Sequence, residues 1–218
     1  MPNDTPIAVV GIAYRAPGIG GKGIWDYLAQ ARSAWTKFPE GRFDATAYWK
    51  PGADKSGVFR AEGAHFLLDD IYAFDAAFFN MRAEEANNVD PQHRILLECA
   101  LEAAEDAGHS LADLAGKKIG VFVGAGQHEY SERLGEDLHA AKTFTATGLA
   151  PCMLANRISY FFDLNGPSVM LDAVCASSVY AAHQAVSAVR NGDCAAAFVG
   201  SVALTVAPGG WLALEKTG

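Results

Sequence analysis

Runs of apolar residues at two different periods organise the chain and predict an alternation of strands and helices. "IAVVGIAYR" (7–15) is a short β-rich run that stops in the Pro/Gly turn "APGIGGKG"; "IWDYLAQARSA" follows, with Ile24, Trp25, Leu28 and Ala31 at helical spacing. That is a strand, a loop and a helix. Residues 36–65 carry Pro, Gly, charge and many aromatics (Phe38, Phe43, Tyr48, Trp49, Phe59) with no sustained period, which predicts a long surface excursion that is nevertheless ordered.

The clearest helix is "DPQHRILLECALEAAEDAG". Asp90 is placed to cap it, Pro91 fits its first position and Gly108 can close it. "KKIGVFVGAG" (117–126) then predicts a buried strand, and "TGLAPCMLANRISYFFDLNGPS" a helix that ends in an Asn-Gly-Pro turn. "SVMLDAV" predicts a second strand, "ASSVYAAHQAVSAVRNG" a helix ending at Asn191-Gly192, and "CAAAFVGSVAL" a third strand. Strands alternating with helices imply an α/β protein with a mostly parallel sheet. The helix after Cys175 differs from the others. From Ala176 to Val189 it has no charged side chain and small residues on all sides, so it is expected to be buried nearly all round.

Composition narrows the possibilities. The chain has 218 residues, half of them hydrophobic, which is ample for a buried core. Formal charge is −8 and the 17 basic residues are scattered, so no nucleic-acid footprint is formed. No apolar run approaches the roughly 20 residues that span a bilayer, and "MPNDTPIAVVGIAYR" lacks the layout of a secretory signal. The expectation is a cytoplasmic protein that contacts neither membrane nor nucleic acid.

The four cysteines, 99, 152, 175 and 194, show neither CxxC pairs nor metal-ligand spacing, and Cys99, Cys152 and Cys194 are expected to be small buried hydrophobes. Cys175 stands apart, between a hydrophobic run ending at Asp172 and the uncharged helix. A cysteine at a helix start meets partial positive charge and free N–H groups, which favour thiolate and can hold a developing oxyanion. "VCASS" therefore fits acyl transfer through a thioester, and it equally fits a buried structural cysteine at a strand end.

The nearest histidine, His183, lies eight residues on, about 12 Å along a helix, whereas a general base must come within about 3 Å. His183 is therefore expected to be a core residue with its ring hydrogen-bonded. His93 is expected at a surface or domain contact. "GIGGKG" matches GxGxxG, but "RAP" separates it from the strand and removes the tight turn a dinucleotide needs. The loop "GAGQHEY" (124–130) offers at most an anion site.

These segments together resemble the N-terminal half of a ketosynthase domain of a fungal-type highly reducing polyketide synthase. The resemblance is carried by "IAVVGIAYRAPG", "IWDYLAQARSAW", "FPEGRFDATAYW", "GAHFLLDDIYAFDAAFFNM", "EEANNVDPQHRILLECALEAAEDAG", "GVFVGA", "NRISYFFDLNGPSVMLDAVCASS" and "GSVAL". It implies a thiolase-like α/β fold, residues 1–218 forming a single truncated domain, with Cys175 as the acyl-accepting nucleophile at a strand–helix turn. It also implies no resident cofactor, substrate delivered on the phosphopantetheine arm of an acyl carrier protein, and a homodimer or an obligate partner chain.

In that family two histidines, in a His-Gly-Thr-Gly-Thr and an Asn-x-Gly-His segment, assist the decarboxylative condensation. The sequence reaches "GGWLALEKTG" without either. The expected function is handling of a polyketide acyl thioester on Cys175, by transfer, release or cyclisation, together with a complete polyketide synthase. The alternatives are a non-catalytic module or chaperone docking on such a synthase, or an inactive fragment.

Overall fold

The computed structural model describes residues 5–19, 23–52, 55–135, 139 and 141–217. In chain order the helices are α1 (Ile24–Ala29), α2 (Ala45–Tyr48), α3 (Ala83–Asn88), α4 (Pro91–Asp106), α5 (Leu111–Leu114), α6 (Tyr130–Gly135), α7 (Thr145–Leu149), α8 (Met153–Phe161), α9 (Ser177–Arg190) and α10 (Gly209–Glu215). The strands are β1 (Trp35–Lys37), β2 (Gly63–His65), β3 (Ile119–Gly124), β4 (Ser168–Leu171) and β5 (Ala196–Ser201). Residues divide into two compact units: Met1–Ala13, Phe74–Gly126 and Lys142–Ala203 in the first, Tyr14–Ala73, Gln127–Ala141 and Leu204–Gly218 in the second. Among the described residues no helix is long and apolar enough to cross a membrane.

The first unit is built on a parallel sheet of order β4-β3-β5. β3, "IGVFVG", is buried at every position, because it has a strand on each side and a packed layer on each face. This is why its sequence is a continuous apolar run instead of an alternating one. Burying Val121 and Val123 completely stabilises the fold by about 2 kcal/mol each. On one face lie Leu97 and Ala100 of α4 and Leu154 and Ile158 of α8; on the other, Ala181, Ala185 and Ala188 of α9 meet Phe122.

α4 starts and stops where its sequence predicts. The Asp90 side chain accepts the Gln92 amide at 2.8 Å, Pro91 occupies the first turn, and Gly108 takes a left-handed φ of 79° just past the end. α8 is tied to β4 through hydroxyls: Ser159 Oγ donates to Ser168 Oγ at 3.0 Å, and Ser168 Oγ donates to Asn156 Oδ1 at 2.8 Å. These bonds set the height of β4 against its neighbours, and β4 leads directly into Cys175.

Several expectations from the sequence are corrected. Residues 7–12 form no strand; among the described residues nothing pairs with them, and Val9 is 86% exposed. A strand takes its hydrogen bonds from a neighbour, and here the Ile12 amide donates instead to Asp106 Oδ2 at 3.1 Å. The single helix expected from Thr147 onward is two helices, because Pro151 cannot continue the ladder and forces Ala150 into extended backbone with ψ of 122°. α9 buries one stripe only, Ser177, Ala181, Ala185 and Ala188, and leaves Val179 70% and Tyr180 54% exposed.

Most described residues of the segment 36–65 are exposed or half-buried, as expected of a surface excursion, but its rings also build a core. In the second unit Phe38 packs against Phe43, Phe59, Phe66 and Trp211 with ring centroids 5.1–5.5 Å apart, and Phe59 is fully buried. Aromatic rings supplied the core that apolar periodicity did not announce. The Arg42 guanidinium, also buried, donates to the Leu67 and Thr205 carbonyls, and desolvation lowers its pKa from the ordinary value.

Candidate active site at the strand–helix turn

The chain leaves β4 at Leu171 and reverses into α9 within five residues. Asp172 Oδ1 accepts the Val174 amide at 2.9 Å, and Val174 takes φ of 52°, a left-handed conformation that a β-branched side chain rarely adopts. A single 3₁₀ turn, Val174–Ala176, contains Cys175 and runs straight into α9. Ser177 bridges the turn: its Oγ accepts the Ala173 amide at 2.8 Å and donates to the Val174 carbonyl at 2.7 Å.

The turn rests on the end of β3. Beyond Gly124 the Ala125 amide donates to the Leu171 carbonyl at 3.1 Å, and the Val202 amide donates to the Gly124 carbonyl at 3.2 Å, so the carboxyl ends of all three strands stay stitched together. A side chain at Gly124 would put its Cβ 2.5 Å from the Ser177 carbonyl group, and one at Gly126 would come 2.9 Å from Asp172 Oδ1. The two glycines let α9 begin directly over the sheet. Cys175 thus sits outside the carboxyl edge of a parallel sheet, where α/β proteins place their ligands.

Cys175 is exposed. Among the described residues no group of three or more His, Cys, Asp or Glu could hold a metal ion. The Cys175 amide belongs to the first turn of a helix, whose N–H groups have no partner within the helix itself.

The other singled-out residues are placed as follows. His183 is exposed on α9, not hydrogen-bonded in the core, because the stripe buried against the sheet is the one carrying Ala181 and Ala185. His93 is buried in the first turn of α4, not on the surface. Cys194 is buried as expected and desolvation raises its thiol pKa, whereas Cys99 is half-buried and Cys152 is exposed at the start of α8. Residues 20–22 of "GIGGKG" lie outside the described residues. Glu129, in the "GAGQHEY" loop, is itself buried and accepts the Val206 and Ala207 amides at 2.9 and 3.1 Å, so that carboxylate serves the backbone of the second unit.

Asp172, Val174, Ser177, Gly124 and Gly126 were not singled out from the sequence as parts of a site. The available signal was local for Asp172 and Ser177, polar residues with short side chains flanking a turn. For the two glycines there was none, since the atoms they accommodate come from residues about 50 positions away.

The family model for the beta-ketoacyl synthase N-terminal domain matches residues 4–218. The chain is 73% identical to the highly reducing polyketide synthase Preu5 of Preussia isomera, over 99% of this chain and 8% of the relative. It is 66% identical to the highly reducing polyketide synthase ACRTS2 of Alternaria alternata, over 100% of this chain and 9% of the relative. The chain therefore spans less than a tenth of the length of these curated relatives.

Among solved structures, the oxazolomycin ketosynthase domain OzmH KS7 of Streptomyces albus JA3453 superposes with a TM-score of 0.88 at 37% identity, over 96% of this chain and 37% of that one. The ketosynthase from module 6 of the bacillaene synthase of Bacillus subtilis 168 superposes with a TM-score of 0.83 at 34% identity, over 97% and 34%. The α/β architecture is thus the thiolase-like one of ketosynthases. With an exposed cysteine on a strained strand–helix turn, and a family match running from residue 4 to residue 218, the chain belongs to the beta-ketoacyl synthase family by its N-terminal domain.

Proposed function

We propose that residues 1–218 act as one domain in polyketide biosynthesis and accept a polyketide acyl group on Cys175. The observation that carries this is the placement of an exposed thiol on a strained turn at the carboxyl edge of the sheet, in a chain of this family. The substrate is an acyl thioester on the phosphopantetheine arm of an acyl carrier protein. The Cys175 sulfur attacks the thioester carbonyl, a new S–C bond forms, the C–S bond to the phosphopantetheine sulfur breaks, and the proton given up by Cys175 ends on the departing thiol. The amide of Cys175 is one donor available to the oxyanion.

Transfer, release or cyclisation of the held acyl group is assigned here, and decarboxylative condensation by these residues alone is not. The nearest histidine in sequence, His183, is two turns along α9, and the family's His-Gly-Thr-Gly-Thr and Asn-x-Gly-His segments do not occur in the 218 residues. The base and the remaining oxyanion donor come from polypeptide outside these residues.

Intact-mass measurement after incubation with an acyl thioester tests the proposal. A mass increase equal to the acyl group, absent in Cys175→Ala, is expected. No adduct with either the protein alone or the protein plus a complete synthase, or an adduct that persists in Cys175→Ala, overturns it.

The exposed apolar residues of α9 favour a second reading, a non-catalytic module that docks on a synthase. It differs in outcome: Cys175→Ala would leave product formation intact, while substitutions on α9 or β4 would abolish it.

A further inference from the structure

We infer that Ser177 is the positioning residue of the Cys175 turn: its hydroxyl holds Val174 in the left-handed conformation that fixes where the Cys175 sulfur and amide point. This rests on acyl acceptance by Cys175 and adds the group that aims it. Val174 is the difficult residue. With φ of 52° and a β-branched side chain that is 75% exposed, it gains no burial there and would relax to an extended backbone if nothing held it.

Two side chains act on it from opposite sides. Asp172 Oδ1 accepts the Val174 amide at 2.9 Å, and Ser177 Oγ donates to the Val174 carbonyl at 2.7 Å. Both polar ends of Val174 are thereby tied down. The Ser177 hydroxyl also accepts the Ala173 amide at 2.8 Å, so one oxygen uses its proton and a lone pair to tie the Val174 carbonyl to the backbone of the preceding residue.

The two anchors are unequal. Asp172 is exposed to solvent, whereas Ser177 is 3% exposed and has its backbone pressed against Gly124 at the end of β3. Ser177 therefore transmits the position of the sheet to the turn. Cys175 lies between Val174 and Ser177, so a rotation at Val174 swings the sulfur and tilts the first-turn amide together.

The test compares wild type, Ser177→Ala and Ser177→Thr by two readouts. One is the acylation rate of Cys175 by hexanoyl-N-acetylcysteamine, followed by intact mass. The other is amide hydrogen exchange across residues 172–176. Ser177→Ala is expected to acylate about tenfold more slowly and to exchange faster in the turn, in line with the loss of two partly buried hydrogen bonds. Ser177→Thr, which keeps the hydroxyl, is expected to restore both to within about threefold.

Wild-type rates in Ser177→Ala, or a Ser177→Thr variant as slow as Ser177→Ala, overturn the inference. If Ser177→Ala does not fold, the double variant Val174→Gly/Ser177→Ala removes the strain, since glycine takes positive φ freely. It is expected to fold and remain slow with a fast-exchanging turn, and a wild-type rate in it overturns the inference. Should wild type itself take no acyl group while exchange still opens in Ser177→Ala and is restored in Ser177→Thr, acyl acceptance falls and the positioning role stands.

Discussion

The four thiols differ in what surrounds them, and that difference is chemically readable. Cys175 and Cys152 are exposed, Cys99 is half-buried, and Cys194 lies under α9, where desolvation raises its pKa and leaves less thiolate at neutral pH. Iodoacetamide at about pH 7.5 is therefore expected to modify Cys175 and Cys152 first and Cys194 only after denaturation, as read by peptide mass spectrometry. Early labelling of Cys194 would mean that the face of the sheet under α9 is open in solution. The sequence distinguished Cys175 by its setting between Asp172 and an uncharged helix; it did not distinguish Cys152 from Cys194, because both sit among small and apolar neighbours.

Elements are joined here by close approach, and glycines mark the places. Gly124→Ala would set a Cβ 2.5 Å from the Ser177 carbonyl, with backbone on both sides unable to yield cheaply. It is expected to destabilise by about 3 kcal/mol in urea unfolding and to displace the Cys175 turn. An unchanged midpoint would show that α9 can lift off β3.

A second element carries an acid sensitivity. In α5 the Ser110 hydroxyl and amide both donate to Asp113 Oδ2, at 2.6 and 2.8 Å, completing a capping box. The Ser110 side-chain bond, foremost, holds the Asp113 carboxyl below its ordinary value. A carboxyl lowered in the folded state adds stability above its unfolded value of about 4 and loses it as pH falls through the folded value. The melting-temperature gap between wild type and Ser110→Ala is thus expected to be open at neutral pH and to close under acid. A gap that stays constant down to the acid limit contradicts the box. The contact of Gly124 with Ser177 was not legible in the sequence, since sequence separation hides it.

At the scale of the whole molecule, exposed apolar side chains remain: Val174 in the turn before α9, Val179 and Tyr180 at the start of α9, Val169 on β4, Val199 on β5, and Val9 and Val10 in the unpaired segment. Surfaces of this kind are covered in use or drive association. Light scattering of the 218-residue chain alone is expected to report species above monomer mass, and Val179→Glu/Tyr180→Glu to lower that mass. A wild type that stays monomeric at high concentration would show that α9 needs no cover. A helix free of charge from 176 to 189 already announced this face; the sequence overstated it by implying burial all round, when only the stripe carrying Ser177, Ala181, Ala185 and Ala188 meets the sheet.

What the sequence by itself determined is what depends on neighbours in the chain: the strand and helix alternation, the caps of α4, the central strand β3, and a cysteine at a strand–helix junction. Each follows from local backbone preference and apolar period. The tertiary structure alone decided which runs found partners. Residues 7–12 have the composition of a strand and no neighbour to bond with, while 36–65, with no period at all, gained a core from rings that meet across long separations. It also decided the geometry of the Cys175 turn, because a left-handed valine persists only where a buried hydroxyl and two distant glycines leave it no other conformation.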